Sequence, residues 1–419
     1  MNKYKIKNIM NTELSYPKNK LNILLLEGVS KSAVDIFKKN GYKNIKYLDK
    51  ALDDDELIKE IKKAHFIGIR SRTQLTAKIL KHAEKLLSVG CFCIGVNQVN
   101  IDHCRKMGVP VFNAPHSNTR SVAELVLAEM VALYRGLVDK NEAAHKGEWL
   151  KSAVNSYEVR GKTLGIIGYG HIGSQLSILA EAFGIRVIYY DRVPKLPMGN
   201  AKQIENIDEL LKESDFVSLH VPASDDTVDM MNKQKIKKMK KGAVLINASR
   251  GNVVDIKALV EQLKSGKILG AAIDVFPKEP ASAKEKFTSP LQGLDNVILT
   301  PHIGGSTEEA QVNIGKEVAA KLVSYSDSGS TTGAVNFPAI SLPQLVNRHR
   351  LLHIHKNKPG VLSEINTIMA ESQTNILGQY LQTLPDTGYV VIDVDKENIA
   401  ELFSKLSNIE GTIRCRVLY

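Results

Sequence analysis

Short unbroken apolar runs alternate along most of this chain with segments whose apolar positions recur at helical spacing. Leu21 to Glu27 is the first such run, followed by SAVDIFKKN, NIKYL, DDELIKEIKKA, HFIGIR, LLSVGCFCIG and VPVFNAP. Apolar runs without polar alternation, bounded by turn residues, are strands covered on both faces, and helices between them make the sheet parallel. The first part therefore predicts a small α/β domain. From Ser117 the pattern changes to NTRSVAELVLAEMVALYRGL, a long helix with apolar residues all round, expected to be buried between domains or subunits. The alternation then resumes, with strands predicted to end at Pro222, Ser249, Asp274 and Thr300 on one sheet edge. Those four ends furnish one cleft.

STEEAQVNIGKEVAAKLVSYSDSG reads as a helix by which the chain returns to complete the first domain, and SGSTTGAVNFPAISLP as a linker. LLHIHKN, a helix opened by Pro359-Gly360, NILGQYLQT, a PDTG hairpin turn, YVVIDVD, a helix IAELFSKLSN and GTIRCRVLY follow in βαββαβ order. A small α+β domain after a linker suits a regulatory or oligomerising module. The pattern thus predicts a polar tail over 1–20, a discontinuous substrate-binding domain over 21–117 plus 305–345, a doubly wound parallel sheet over 118–304 and an α+β domain over 346–419.

The stretch GIIGYGHIGSQLSILAEAFGIRVIYYD, Gly165 to Asp191, organises the second of these domains. A buried strand runs into Gly168, Gly170 and Gly173, spaced as a tight turn, a close approach to a pyrophosphate and a close helix–strand contact require. The amino end of the next helix offers free N–H groups to phosphates. Asp191 ends the next strand about 20 residues on, where a carboxylate bonds ribose hydroxyls and repels a 2′-phosphate. The expected cofactor is NAD, with Arg192 beside the acid as the one contrary sign.

Bulk properties narrow the picture without changing it. The chain has 419 residues, 43% hydrophobic and 24% charged, enough for two or three cores. No run approaches the roughly 18 apolar residues of a membrane span, and the Lys-rich start lacks an apolar core, so no signal peptide is expected and the cytoplasm is the default location. Cys91, Cys93, Cys104 and Cys415 have no metal-like spacing; Cys91 and Cys93 are expected to alternate within an apolar strand as reduced thiols, and no metal site is expected. The net charge of +11 is spread over helical lysines without interleaved aromatics or a nucleic-acid signature, so an anionic small molecule is the expected partner and no nucleic acid or membrane.

The strand ends carry candidate chemistry. Moving a hydride between NAD and an alcohol carbon needs a proton carrier, and His302, right after VILTP, is placed for it. Glu279 in PKEP can hold the imidazole by its other nitrogen, and Arg250 in NASRG can grip a carboxylate with its planar fork. His171 and His220 are the weaker alternatives for the proton. Arg70-Ser71-Arg72, at the end of a first-domain strand, suits a carboxylate or phosphate, a pair of surface arginines being the other reading.

GYGHIG, INASRG, DVFPKEP and TPHIGG, with NTRSVAELV and VGCFCIGVNQV, closely resemble the D-isomer-specific 2-hydroxyacid dehydrogenases, in their short bacterial phosphoglycerate-oxidising form with a C-terminal ACT domain. The resemblance runs from about Leu21 to Tyr419. It implies a Rossmann-type NAD-binding domain, a flavodoxin-like substrate domain and an ACT domain. It implies catalysis by His302 and Glu279 with Arg250 on the substrate carboxylate. It also implies NAD contacts from His171, Ile172, Asp191, Ala248, Ser249, Arg250, Asp274, His302, Ile303, Gly304 and Gly305, and a phosphate-bearing substrate at Arg70, Ser71 and Arg72. The implied reaction is oxidation of 3-phosphoglycerate at the head of serine synthesis, with side activity on 2-oxoglutarate.

Further implications are a homotetramer and inhibition by L-serine held at His355, Asn357 and Asn375. The family's Gly-Gly hinge and paired arginines read here Val346-Asn347-Arg348-His349-Arg350, without the glycines that give a hinge its freedom. A dehydrogenase for another D-2-hydroxy acid, or an NAD-sensing binding protein on the same fold, are the competing readings.

Overall fold

The computed structural model describes residues 17–280, 285–344, 348–395 and 399–418. Its contacts divide into two compact units: residues up to Ser117 together with those from Gln311 onward, and Asn118–Ala310.

The first unit opens with β1 (Asn22–Leu25), α1 (Lys31–Lys39), β2 (Asn44–Tyr47), α2 (Asp54–Ile61), β3 (Phe66–Ile69), α3 (Ala77–Leu80), β4 (Ser88–Cys91), α4 (Ile101–Lys106) and β5 (Val111–Asn113). The strands form a parallel sheet in the order β2-β1-β3-β4-β5. Every position of β3 and β4 is buried, as strands covered on both faces require. Helix starts follow their sequence signals: Ser30, Asp53 and Thr76 each cap with a side-chain oxygen accepting a backbone N–H.

The second unit runs through α5 (Thr119–Arg135), α6 (Leu137–His145), β6 (Thr163–Ile167), α7 (His171–Ala182), β7 (Arg186–Tyr190), β8 (Lys202–Gln203), α8 (Ile207–Glu213), β9 (Phe216–Leu219), α9 (Lys233–Lys238), β10 (Ala243–Asn247), α10 (Ile256–Lys264), β11 (Ile268–Ile273) and β12 (Val297–Leu299). Its seven parallel strands lie in the order β12-β11-β10-β9-β6-β7-β8, a doubly wound Rossmann-type sheet whose winding reverses between β6 and β9. α5 is less uniformly apolar than its sequence suggests. Val122, Ala123, Val126 and Met130 join the core under β6 and β10, while Arg120 and Glu124 pair on an exposed face.

α11 (Glu308–Ser328) carries the chain back, and Ile314, Val318, Leu322 and Tyr325 pack with Leu25, Phe66 and Phe112 of the first sheet. A side chain at Gly90 would run into Val318 and Leu322 at 2.8 Å, so the bare strand surface there is what lets the helix settle.

The stretch read as a linker is instead a pinned strap. Asn336 accepts from Val111 N (2.8 Å) and donates to Val109 O (3.0 Å) along the edge of β5, while the buried Thr331 hydroxyl donates to Pro338 O and accepts from Ile340 N. Hydroxyls and one amide satisfy a backbone that would otherwise need water. Cys93 also departs from expectation: β4 ends at Cys91, and the Cys93 thiol sits half-buried in the following loop, donating to Gly95 O.

β13 (His349–Lys356), α12 (Val361–Glu371), β14 (Ile376–Thr383), β15 (Thr387–Val394), α13 (Ala400–Ser407) and β16 (Thr412–Leu418) complete the unit. They form an antiparallel sheet in the order β14-β15-β13-β16. One face packs on α12 and α13, the other on Phe337 and Ile340 of the strap. Arg350, fully buried, makes a two-pronged ion pair with Asp393 (2.6 and 2.8 Å) and donates to Ser328 O and Pro343 O. The predicted hinge lies partly outside the described residues, at 345–347; at Arg350 it is a buried anchor with its guanidinium consumed.

Candidate active site

The carboxyl edge of the second unit's sheet collects the candidate groups. Gly168 follows β6 with φ of 93°, and a Cβ there would meet His220 O at 2.4 Å; one at Gly173 would meet Gly168 O at 2.3 Å. A Cβ at Gly170 would meet nothing within 4 Å. Two glycines are thus required by the protein's own packing, whereas Gly170 faces open space at the uncapped amino end of α7. That is where a pyrophosphate needs backbone access. Asp191, after β7, accepts from Tyr169 N (2.9 Å) and Val193 N (3.1 Å), which fixes its carboxylate and leaves lone pairs for ribose hydroxyls. His171 and Ile172 open α7 itself. These residues fit a dinucleotide.

Beyond β10, Asn247 Oδ1 accepts from Ser249 N (3.0 Å) and Ser249 Oγ (2.7 Å), and its amide donates to Arg250 O (3.0 Å). This ties down the turn that carries Ala248, Ser249 and Arg250. The Arg250 guanidinium spends one Nη1 bond on Ser249 O (2.7 Å). Gly251 lets the turn press onto the next loop: a Cβ would fall 2.0 Å from the Phe276 carbonyl carbon.

Beyond β11 and β12, Asp274 is nearly fully buried and collects Thr300 Oγ1 (2.6 Å), Ile303 N (2.8 Å) and Gly304 N (2.8 Å). It shapes the turn that presents His302, a left-handed residue with φ of 55°. His302 Nδ1 lies 2.9 Å from Glu279 Oε2, and Glu279 Oε1 accepts from Phe276 N (3.1 Å). The hydrogen bond to Glu279 raises the His302 pKa above the ordinary histidine value against a lowering by burial. Burial pushes Glu279 upward, but the hydrogen bonds from His302 and Phe276 and the nearby charges of His302 and Arg250 outweigh it and hold the carboxylate ionised. An imidazole with one nitrogen anchored and its charged form supported can accept and return a proton at the other.

The alternative histidines separate from this arrangement. His220 bonds Ser218 Oγ (2.8 Å), and desolvation pushes it down to about 4, so it stays neutral. His171 is exposed at the start of α7. In the first unit, Arg70 is half-buried and Ser71 and Arg72 are exposed just past β3. His355 is buried in the antiparallel sheet, 3.3 Å from His353 Nδ1, while Asn357 and Asn375 are exposed and donate to Leu384 O and Asp395.

A chain from Haemophilus influenzae described as D-3-phosphoglycerate dehydrogenase is 58% identical over 98% of this chain and all of that relative. One of the same description from Escherichia coli is 56% identical over 97% of this chain and all of its own length. This chain belongs to the D-3-phosphoglycerate dehydrogenase family. It is an NAD-dependent oxidoreductase: the D-isomer specific 2-hydroxyacid dehydrogenase NAD binding domain matches residues 127–304, and an AHAS small subunit-like ACT domain matches 351–414. Among solved structures, a D-lactate dehydrogenase from Aquifex aeolicus complexed with NAD and lactic acid superposes with a TM-score of 0.64 at 29% identity, covering 76% of this chain and all of that one. Among the described residues no helix is long and apolar enough to cross a membrane, and no cluster of ligating side chains is placed for a metal.

Two residues around this site escaped the sequence reading. Asn247 sits inside INASRG, where only the turn geometry reveals its role. Glu129 in α5 is 4% exposed, with neither carboxylate oxygen hydrogen-bonded among the described residues; desolvation and then the Asp274 charge push it up to about 8. At neutral pH it is carried as the acid. Its sequence signal, a glutamate in an apolar helix, is no different from that of a surface residue.

Proposed function

We propose that this enzyme oxidises 3-phospho-D-glycerate to 3-phosphohydroxypyruvate, the first step of L-serine biosynthesis, under feedback inhibition by L-serine. The observation that carries the reading is the His302–Glu279 pair beside the Arg250 turn, on the sheet edge that also holds the dinucleotide glycines. The substrate is that of the relatives described as D-3-phosphoglycerate dehydrogenases.

Arg250 grips the substrate carboxylate with its free N–H groups, which fixes the alcohol carbon. Arg70, Ser71 and Arg72 take the phosphate. His302 Nε2 accepts the C2 hydroxyl proton while Nδ1–H donates to Glu279, whose negative charge supports the imidazolium so formed. Bound NAD supplies the hydride acceptor. In reduction, His302 starts protonated and returns the proton. Gly168, Gly170, His171, Ile172 and Gly173 hold the pyrophosphate, Asp191 the ribose, and Ala248, Ser249, Asp274 and the turn from His302 to Gly305 the rest of the cofactor.

The domain assignment follows the same reading: substrate binding over 21–117 with 305–345, NAD binding over 118–304 and regulation over 346–419. L-Serine binds through His355, Asn357 and Asn375, 2-oxoglutarate is a side substrate, and the enzyme works in the cytoplasm as a homotetramer. Large apolar side chains exposed at Leu137, Trp149, Leu150 and Val154 support self-association. The test is NADH oxidation with 3-phosphohydroxypyruvate, with and without L-serine. Turnover that serine suppresses supports the whole reading; turnover only with an unphosphorylated 2-oxo acid overturns it.

A further inference from the structure

The loop carrying Arg70 and Arg72 is held from beneath by a side chain with no role assigned so far. Glu27 lies just past β1, its own backbone and that of Gly28 both left-handed at φ of 62°. For a non-glycine residue this conformation is strained and persists only where the surroundings enforce it. The Glu27 side chain is 1% exposed. Its Oε1 accepts from Arg70 N (3.2 Å) and Thr73 N (2.8 Å), and Oε2 from Arg72 N (2.9 Å). The Arg72 Nε lies 3.7 Å from the same Oε2. From the other side the buried Gln98 donates to Arg70 O at 2.6 Å. The Thr73 hydroxyl is buried without a hydrogen-bond partner among the described residues.

Position makes this arrangement more than a loop clamp. In a sheet ordered β2-β1-β3-β4-β5 the winding reverses between β1 and β3, and ligands of open α/β sheets bind at the carboxyl ends of the strands at such a reversal. Glu27 follows β1 and Arg70–Thr73 follows β3, so the carboxylate and the loop flank that crevice. Three neighbouring backbone N–H groups would themselves attract an anion. Glu27 occupies them, which leaves anion recognition to the guanidinium groups, and its buried negative charge offsets the repulsion between the two arginines.

We propose that Glu27 is a positioning residue for substrate recognition, fixing the backbone of residues 70–73 so that Arg70 and Arg72 meet the substrate phosphate. The proposal rests on the reading of those arginines as the phosphate site. Gln98 is the second tie of the same loop.

The experiment compares KM and kcat for 3-phosphohydroxypyruvate and for hydroxypyruvate, its unphosphorylated analogue, in the full-length enzyme. Glu27→Gln keeps the size but sets an amide donor against a loop donor. The KM for the phosphorylated substrate should rise about tenfold, as loss of one charge-assisted bond implies, with kcat, the KM for hydroxypyruvate and NADH binding within about twofold. Arg70→Ala and Arg72→Ala should erase the preference for the phosphate. If they erase it while Glu27→Gln and Gln98→Met both keep it, the inference is overturned and the phosphate site stands. If neither the wild type nor the arginine variants discriminate, the phosphate reading falls and the inference falls with it. Should Glu27→Gln fail to bind NADH through misfolding, Gln98→Met decides by the same ratio.

Discussion

His302 Nδ1 and Glu279 Oε2 meet at 2.9 Å across 23 residues of sequence, joining the loops that follow two neighbouring strands. Because the carboxylate raises the imidazole pKa, the protonated histidine extends to higher pH than usual. In the proposed mechanism oxidation needs the neutral form. Its kcat/KM should therefore rise with pH through an inflection above the ordinary histidine value, and reduction should fall through the same inflection. Glu279→Gln should move that inflection to lower pH in pH–rate profiles of both directions. His302→Ala should lose about 10²–10⁴-fold in kcat, the usual contribution of a positioned acid or base.

If Asp191 holds the ribose as proposed, its charge should set cofactor choice, with Arg192 already beside it. Asp191→Ser should weaken NAD by about tenfold, as loss of a charged hydrogen-bond acceptor implies, and admit NADP. Steady-state constants with both cofactors check this, and unchanged NADP use would exclude the role.

Glu129 should make folding stability pH-dependent in an unusual direction. Its native pKa of about 8 lies above the unfolded value, so the folded chain binds the proton more tightly. This contribution destabilises progressively as pH rises from the unfolded carboxyl range to about 8, then levels off. Glu129→Gln removes the titration. The melting temperature of the variant should gain on the wild type between pH 5 and pH 8, and a difference flat with pH would refute the assignment.

Arg350→Ala takes both short bonds from the fully buried Asp393 and leaves beside it the partly exposed Arg348 guanidinium at 3.5 Å. The expected loss is at most about 3–5 kcal/mol, the cost of an uncompensated buried charge, whereas replacing both residues by apolar ones of similar size costs far less. Urea unfolding of the single and double variants, followed by a probe in the antiparallel sheet, measures both.

Periodicity and glycine spacing made the two parallel sheets and the β-α-β-β-α-β tail legible, because apolar runs and turn residues report directly on strands covered on two faces. The histidine, glutamate and arginine at strand ends were legible because sheet topology gathers such ends. What escaped depends on tertiary context. The Ser/Thr-containing stretch 328–343 has a linker's composition, yet Thr331 satisfies its own backbone and Asn336 ties it along β5. Glu27 ends a strand like any surface acid, and only its left-handed backbone and three loop amides give it away. Glu129 and Asn247 carry no local signal because their neighbours come from other elements.

Gly251 has a mechanical consequence. With the Phe276 carbonyl filling the space where its side chain would stand, the turn bearing Arg250 is wedged against the loop bearing Glu279. Neither can shift alone. Under the proposed mechanism, substrate orientation and proton transfer are thereby cast in one block, so an alanine at this single position should disturb both together, far in sequence from His302.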